Sequence, residues 1–378
     1  MVTTTAAFDA ALSRLTIDLG AVRTNYRRLC RELAGVPCAG VVKADGYGLG
    51  ADRVAPVLYQ EGCRIFFVAT FDEAVALRQI LPDDQMPDAE IACLNGLLAG
   101  TETAFVEHRI IPVINAIEQI GRWRDQGAKE GRALPAMLHL DTGMNRLGLD
   151  GREMDRVADD PTSLDGIDWR YAISHLAIAD EADHPMNAQQ LARFRSMRAR
   201  LPVAMKASLA NSSGIFLGSE FHHDLGRPGI ALYGGRPAAG RDNPMLCPIR
   251  IEGRILQIRT VEPGWTVGYG ASWRAARETR IATVAAGYAD GYLRSLSSAG
   301  RVAVGGRLCD VVGRVSMDSI TVDVTDLPEA DAAPGGMVEV LGPTVTPDSM
   351  ADAGGTIGYE LLTALGSRYI RHYVDTSA

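Results

Sequence analysis

The chain has 378 residues, of which 47% are hydrophobic and 22% are charged, as expected of a globular protein large enough for two domains. A formal net charge of −8 without a basic run argues against nucleic acid as a partner. No apolar stretch approaches the length that crosses a bilayer. Residues 1–7 do not resemble a secretory signal, and the six cysteines lack Cys-x-x-Cys spacing. We therefore expect reduced thiols, no metal site and a cytoplasmic location.

From about residue 14 to residue 235, short apolar runs alternate with stretches of helical periodicity. Helices are predicted at Ala21–Leu33, Asp72–Gln79, Ala116–Asp125 and Ala188–Leu201. About eight strand–helix units favour a (β/α)8 barrel of the TIM type over a doubly wound sheet. The predicted barrel strands are Gly40–Val42, Ile65–Ala69, Ile91–Leu94, Ile111–Ile114, Ala136–Leu140, Tyr171–Ser174, Lys206–Ala210 and Ile230–Leu232.

Near residue 240 the pattern changes to β runs that are separated by glycine and proline. We place a domain boundary there, with a barrel domain at 1–240 and a mostly-β domain at 241–378. The extreme C-terminus can pack back on the barrel. The predicted strands of the second domain are Pro248–Arg259, Arg280–Ala286, Arg301–Val304, Cys309–Val312 and Ser319–Val324.

An apolar run ends at Lys43, and Ala44-Asp-Gly-Tyr-Gly48 follows it. A lysine at the carboxyl end of a buried barrel strand is desolvated, so its neutral, nucleophilic form becomes accessible. Such an amine can form a Schiff base with an aldehyde cofactor, and the glycines let the backbone approach a ligand closely. This segment alone leaves open a lysine at the surface end of a strand.

Two further strand ends carry cationic or titratable side chains. The run His139-Leu-Asp-Thr-Gly-Met-Asn-Arg146 places an arginine beyond a strand, where its planar fork suits an anionic oxygen. A surface ion pair would explain the same arginine. His175 ends another apolar run, where a lone histidine is more often a packed core side chain than a catalyst.

Short loops of small residues follow the last barrel strands at Asn211-Ser-Ser-Gly214 and Arg227-Pro-Gly-Ile230. Backbone N–H groups and hydroxyls in such loops can hold a phosphate. Taken alone, they are ordinary loop chemistry. In the second domain, Tyr269 lies in Gly264-Trp-Thr-Val-Gly-Tyr-Gly-Ala271, and any single tyrosine there would by default be a packing residue.

Together these segments resemble the alanine racemase family, in the expected order from Arg14 to Tyr373. The resemblance implies a pyridoxal 5'-phosphate (PLP) enzyme that interconverts L- and D-alanine and supplies D-alanine for peptidoglycan. It implies a head-to-tail homodimer with shared active sites. Lys43 would hold PLP and act on the D-face of the substrate, and Tyr269, contributed by the partner subunit, would act on the L-face.

The resemblance also assigns the other site residues. His175 would pack against the PLP ring, and Arg227 would bind the pyridine nitrogen. Arg146 and the backbone of Met317 would bind the substrate carboxylate. The remaining residues are assigned to the phosphate and cofactor site (Ser212, Gly229, Ile230, Tyr359, Tyr47 and Asn211) and to the entrance (Tyr288, Ile357 and Asp318, the last in reach of Arg294 or Arg314).

Arg227 has an electronic consequence. A guanidinium does not give up its proton, so it leaves the pyridine nitrogen unprotonated and weakens the electron sink. A weaker sink disfavours a long-lived carbanion, which would otherwise leak into transamination or decarboxylation. Arg146, or His175 if it were protonated, would stabilise the phenolate of Tyr269.

One position departs from the family pattern. Many members carry a carbamylated lysine seven residues before the arginine, where this chain has His139. An imidazole is not expected to form a stable carbamate, so His139 is predicted to brace Arg146 directly or through a water or chloride.

The rival functions are a racemase of serine, lysine or arginine, a PLP decarboxylase of the same barrel class, and a non-enzymatic PLP carrier. Arg227 argues against the decarboxylase, and the β domain with Tyr269 argues against the carrier.

Overall fold

The computed structural model describes residues 5–82 and 84–376, and their contacts form two compact units. The barrel unit comprises Arg23–Leu232 and Arg236–Pro244, and the β unit comprises the residues up to Val22, Tyr233–Gly235 and the residues from Met245 onward. The predicted boundary near residue 240 stays a prediction. No helix in the described ranges is long and apolar enough to span a membrane.

Seven parallel strands form the sheet of the barrel unit, and each pairs with the next along the chain. Seven of the eight predicted strands are therefore confirmed, with small shifts at their ends. Numbering the strands of the whole chain from β1 (Ser13–Asp18), the seven are β2 (Gly40–Val41), β3 (Ile65–Val68), β4 (Glu90–Cys93), β5 (Ile110–Ile114), β6 (Leu134–His139), β7 (Ile167–Ile173) and β8 (Lys206–Ser208).

The segment Asp224–Pro228 occupies the eighth position of the barrel. Its backbone accepts hydrogen bonds from Ala39 and Val41 on the β2 side, at Gly226 and Pro228, and Arg227 donates to Ala210 on the β8 side. The predicted strand Ile230–Leu232 is wrong, because Ile230–Tyr233 is a short 3-10 helix. Pro228 has no N–H to extend the ladder, and the N–H of Gly229 donates to Ser212.

Helices follow the barrel strands, and side-chain caps mark the starts of some of them. Thr70 and Glu73 form a capping box at one helix, and Asp150 and Glu153 form another. The four predicted helices are all present. The helices are α1 (Thr5–Ala10), α2 (Leu19–Glu32), α3 (Ala51–Gln60), α4 (Phe71–Ile80), α5 (Glu102–Glu107), α6 (Ile117–Glu130), α7 (Gly151–Asp159), α8 (Pro185–Ala199), α9 (Pro347–Gly354) and α10 (Gly358–Thr363).

The β unit is built around one long strand that pairs with three others, antiparallel in each case. The N-terminal β1, which we grouped with the barrel pattern from its position in the sequence, lies in this sheet and buries Leu15 and Ile17. The strands are β9 (Ile249–Val261), β10 (Thr266–Val267), β11 (Trp273–Arg274), β12 (Thr279–Val284), β13 (Arg301–Val304), β14 (Arg307–Asp310), β15 (Ile320–Asp323), β16 (Met337–Leu341) and β17 (Ile370–Val374). The predicted barrel followed by a mostly-β domain is confirmed.

Candidate active site

Lys43 lies just beyond β2 and opens a left-handed turn. The φ angles of Ala44, Asp45, Gly46 and Tyr47 are 52°, 53°, 60° and 54°, in the region that L-residues rarely adopt. Hydrogen bonds close the turn, from Gly46 N to Val42 O (2.9 Å) and from Gly48 N to Ala44 O (2.8 Å). Each non-glycine residue in this conformation costs roughly 1–2 kcal/mol, so the surrounding structure holds the turn in place.

Glu73 supplies part of that support. One carboxylate oxygen accepts from Ala44 N at 2.7 Å, and the other accepts from Ala69 N at 2.8 Å, so the loops after β2 and β3 are tied together. Burial lowers the pKa of Lys43, and the nearby Arg146 lowers it further, against a smaller opposite effect of Glu73. The Lys43 ammonium forms no ion pair within the described ranges. Its neutral amine is therefore more accessible than that of an exposed lysine.

Two buried backbone N–H groups near the Ser212 hydroxyl have no acceptor within the described residues. Ser212 and Ile230 are each 2% exposed, yet their N–H groups donate to nothing in the part of the chain that is described. The Ser212 hydroxyl accepts from Gly229 N at 2.9 Å and from Ala231 N at 3.2 Å. Buried N–H groups almost always have a partner, so this concavity fits an anion such as the PLP phosphate.

Tyr47 packs against the same loop. A Cβ added at Gly229 would lie 2.2 Å from the Tyr47 hydroxyl, so only glycine allows this approach. Asn211 shapes the adjoining turn, because its side-chain oxygen accepts from Gly214 N at 2.9 Å. The predicted phosphate residues of the barrel are thus neighbours in space.

Arg227 is a buried cation. Its guanidinium donates to the Ser208 hydroxyl and to the Ser174 carbonyl, and it forms no salt bridge with the described residues. Burial lowers the pKa of Arg227 to about 10, which still leaves it charged at pH 7. A guanidinium has five N–H donors, and two hydrogen bonds leave it able to donate to a further acceptor, such as an unprotonated pyridine nitrogen.

His175 follows β7 and is neutral in these surroundings. Burial lowers the pKa of His175 to about 3, and the charges of Arg227, Arg146 and Lys43 contribute. An imidazole with this pKa is uncharged at pH 7, so the alternative in which a protonated His175 stabilises a phenolate is not supported. A neutral ring remains suited to packing against an aromatic cofactor.

His139 donates from Nδ1 to Asn115 Oδ1 at 2.7 Å. The direction follows from Asn115, whose amide nitrogen already donates to the carbonyls of Leu94 and Val113. Burial, followed by Arg227, lowers the pKa of His139 to about 4, so Nε2 carries a free lone pair at pH 7. No hydrogen bond joins His139 to Arg146 among the described residues, so direct bracing is not observed.

Tyr269 stands at the tip of the short hairpin that joins β10 to β11. Gly268, Gly270 and Ala271 around it have φ angles of 76°, 71° and 47°. Val267 anchors the hairpin in an apolar cluster with Ile281 and Val312, while the Tyr269 side chain is 67% exposed. The guanidinium of Arg314 packs on this loop, 2.9 Å from where a Cβ on Gly270 would lie.

Asp318 pairs with an arginine that the sequence analysis did not name. Arg368 Nη1 donates to Asp318 Oδ1 at 2.6 Å, whereas Arg294 and Arg314 form no ion pair with it in the described chain. The expectation that Arg294 or Arg314 comes within reach of Asp318 stays a prediction. Arg368 gives no local sequence signal, because it lies 50 residues from Asp318.

The remaining predicted residues of the β unit are exposed. Tyr288 is 43% exposed, Ile357 60%, Met317 52% and Tyr359 39%. The Met317 N–H has no acceptor among residues that are described, so it is available to an anion. The roles assigned to these residues stay predictions.

Asn115 is a second residue that the sequence analysis missed. It follows β5 directly, as Lys43 follows the β2 ladder, and a polar side chain at the carboxyl end of a barrel strand could have marked it.

Known proteins match this chain over nearly its whole length. Residues 17–237 match the alanine racemase N-terminal domain, and residues 249–373 match the alanine racemase C-terminal domain. Alanine racemase from Rhodospirillum rubrum is 48% identical over 366 residues, covering 97% of this chain and 96% of the relative. A catabolic alanine racemase from Mesorhizobium japonicum is 50% identical over 365 residues, covering 97% and 94%.

Solved structures show the same likeness. Alanine racemase from Bartonella henselae, with covalently bound pyridoxal phosphate, has a TM-score of 0.92 and 42% identity, covering 96% of this chain and 100% of that one. The biosynthetic alanine racemase from Pseudomonas aeruginosa has a TM-score of 0.86 and 36% identity, covering 96% and 99%. A barrel with a β domain and these matches define a PLP-dependent isomerase. The chain belongs to the alanine racemase family.

Proposed function

We propose that this chain interconverts L- and D-alanine with two bases, Lys43 on the D-face and Tyr269 of the partner subunit on the L-face. The observation that carries the proposal is the cluster in the barrel unit. A half-buried lysine with a lowered pKa, a buried arginine without a counter-ion and a cradle of free N–H groups belong to one compact unit.

PLP, when bound, supplies a conjugated ring that withdraws electrons from the α-carbon of an attached amino acid. Ser212 and Ile230 would offer their N–H groups to its phosphate. Arg227 would donate to the pyridine nitrogen and would leave it unprotonated. The neutral ring of His175 would pack against the cofactor ring.

Lys43 takes a proton from the α-carbon on one face or returns it there. Burial favours the neutral amine that this role requires. Arg146 and the free N–H of Met317 bind the substrate carboxylate, which turns the α-hydrogen toward a base.

Tyr269 moves the second proton. Its exposed phenol at a hairpin tip supports a role toward another subunit, because a base has to be enclosed with the substrate when it works. A head-to-tail homodimer would bring it there, and each site would then contain residues of both subunits.

We propose a cytoplasmic enzyme that supplies D-alanine for peptidoglycan. The unpaired state of all six cysteines supports a reducing compartment. The catabolic direction in the name of the Mesorhizobium relative is the alternative. Deletion of the gene tests this, since a biosynthetic role predicts dependence on added D-alanine.

The deciding experiment combines an absorbance spectrum with racemisation assays on about twenty amino acids. We expect a visible band from bound PLP and the highest kcat/KM with alanine. A clear preference for serine, lysine or arginine would replace alanine as the substrate while leaving the family assignment intact.

A further inference from the structure

We infer that Arg368 is a positioning residue that fixes the Met317 backbone so that its N–H can bind the substrate carboxylate. The inference rests on the proposed function, since the role of Met317 is part of it. All residues concerned belong to the β unit.

Arg368 joins two separate segments of the chain. Its Nε and Nη2 donate to the two carboxylate oxygens of Asp290, each at 2.8 Å. Its Nη1 donates to Asp318 at 2.6 Å, and Nη2 also reaches the Met317 carbonyl at 3.4 Å. A planar guanidinium can bind one carboxylate with two nitrogens and still donate elsewhere, which the single ammonium of lysine cannot reproduce.

Asp290 links Arg368 to the backbone at Gly287. Its side chain is only 5% exposed, and its Oδ2 also accepts from Gly287 N at 2.9 Å. Isolated ion pairs at the surface contribute little, but a buried carboxylate with two nitrogen contacts and a backbone donor is not of that kind.

The segment 287–290 fixes both peptide groups that flank Met317. Tyr288 N donates to Ser316 O at 3.0 Å, and Ala289 N donates to Met317 O at 3.0 Å. Because a trans peptide is planar, holding Ser316 O on one side directs the Met317 N–H to the opposite side. That N–H is the one without an acceptor in the described ranges.

The backbone of Gly287 lies close to the carbonyl oxygens of Ser316 and Met317. A Cβ there would lie 2.2 Å from Met317 O and 2.6 Å from Ser316 O. Any larger residue would push the Met317 backbone away, so Gly287→Ala disturbs the same peptides without removing a charge.

The experiment uses the PLP-loaded enzyme and propionate, which has the carboxylate and methyl group of alanine but no amino group. Arg368→Gln, Arg368→Lys and Gly287→Ala are compared with Arg301→Gln, which breaks another exposed arginine–carboxylate pair of the β unit. The measured quantities are KM and kcat for alanine, the propionate dissociation constant from the cofactor absorbance, and the melting temperature.

We expect Arg368→Gln and Gly287→Ala to raise KM and the propionate constant together by about tenfold, with kcat within about threefold of the parent. Arg368→Lys should fall between, and Arg301→Gln should match the parent. A lowered melting temperature with an unchanged propionate constant would overturn the inference, since Arg368 would then only stabilise the fold. If Arg368→Gln does not fold, unchanged propionate binding in Arg368→Lys and Gly287→Ala overturns it equally.

Failure of the proposed function would appear elsewhere. The parent enzyme would then fail to racemise alanine, while propionate binding, which needs no turnover, would still report on Arg368.

Discussion

The barrel unit and the β unit hold their site residues in opposite surroundings. In the barrel unit, Arg227 and Ser212 are buried, and burial lowers the pKa values of Lys43 and His175. In the β unit, Tyr269 is 67% exposed. Groups whose chemistry depends on desolvation are thus built into the barrel, whereas Tyr269 of the β unit lies at its surface.

The sharpest test of the barrel half is Lys43→Ala. Without the amine, we expect loss of the visible absorbance of covalently held PLP and at least about a thousandfold loss of racemisation. Lys129→Ala, in an exposed position of α6, should match the parent in both assays. A borohydride-reducible adduct that survives in Lys43→Ala would rule out Lys43 as the attachment site.

Tyr269→Phe tests the β half. We expect exchange of the α-proton of L-alanine in deuterated water to slow by about a hundredfold, and exchange from D-alanine to slow much less, since general acid–base groups contribute on this scale. Tyr292→Phe is the matched control, because that hydroxyl is buried without a partner in the described chain. Equal slowing of both enantiomers would show that the faces are misassigned or that Tyr269 only packs.

Arg227→Glu addresses the electronic role of the barrel. A carboxylate would favour a protonated pyridine nitrogen and strengthen the electron sink, so transamination should rise relative to racemisation by about tenfold. The ratio of pyruvate formed to alanine racemised measures this. An unchanged ratio and an unchanged absorbance spectrum would contradict the electronic explanation.

His139→Ala tests the departure from the family pattern. The imidazole is the buried donor to Asn115 Oδ1, so its loss should cost roughly 1–3 kcal/mol of stability. Since no hydrogen bond joins His139 to Arg146 in the described chain, KM for alanine should rise only through a water or chloride that bridges the two. Activity should not depend on bicarbonate. A carbamylated lysine against Arg146 in an experimental structure would show that His139 has no bracing role.

The lowered pKa of His139 predicts that the stability of the fold depends on pH. The pKa of His139 is about 4 in the folded chain, below its ordinary value near 6.5, so the unfolded state binds the proton first. The free energy of unfolding should therefore fall as the pH is lowered from about 6.5 toward 4, by up to roughly 3 kcal/mol from this residue. His139→Ala should show a shallower fall when urea unfolding is measured across this range, and an identical slope would refute the assignment.

The barrel could be predicted from the sequence because its signals are local. An apolar run that ends in Lys43 and a hydroxyl-rich loop at Ser212 each show their chemistry within ten residues. The eighth barrel position could not be predicted, because Asp224–Pro228 has no strand pattern and is defined by its hydrogen bonds to neighbouring segments.

The ion pair at Arg368 in the β unit joins residues that lie far apart in the sequence. Arg368 meets Asp290 across 78 residues of sequence, and no local pattern predicts that pairing.

The left-handed turn after Lys43 affects how this enzyme can change by mutation. Ala44→Gly would relieve a backbone conformation that alanine tolerates poorly, so selection for heat resistance alone would favour it. The same change would loosen the turn that begins at Lys43. The enzyme would then gain melting temperature and lose kcat. Directed evolution for thermostability should therefore leave residues 44–47 out of its libraries and seek its gains on the distant helices.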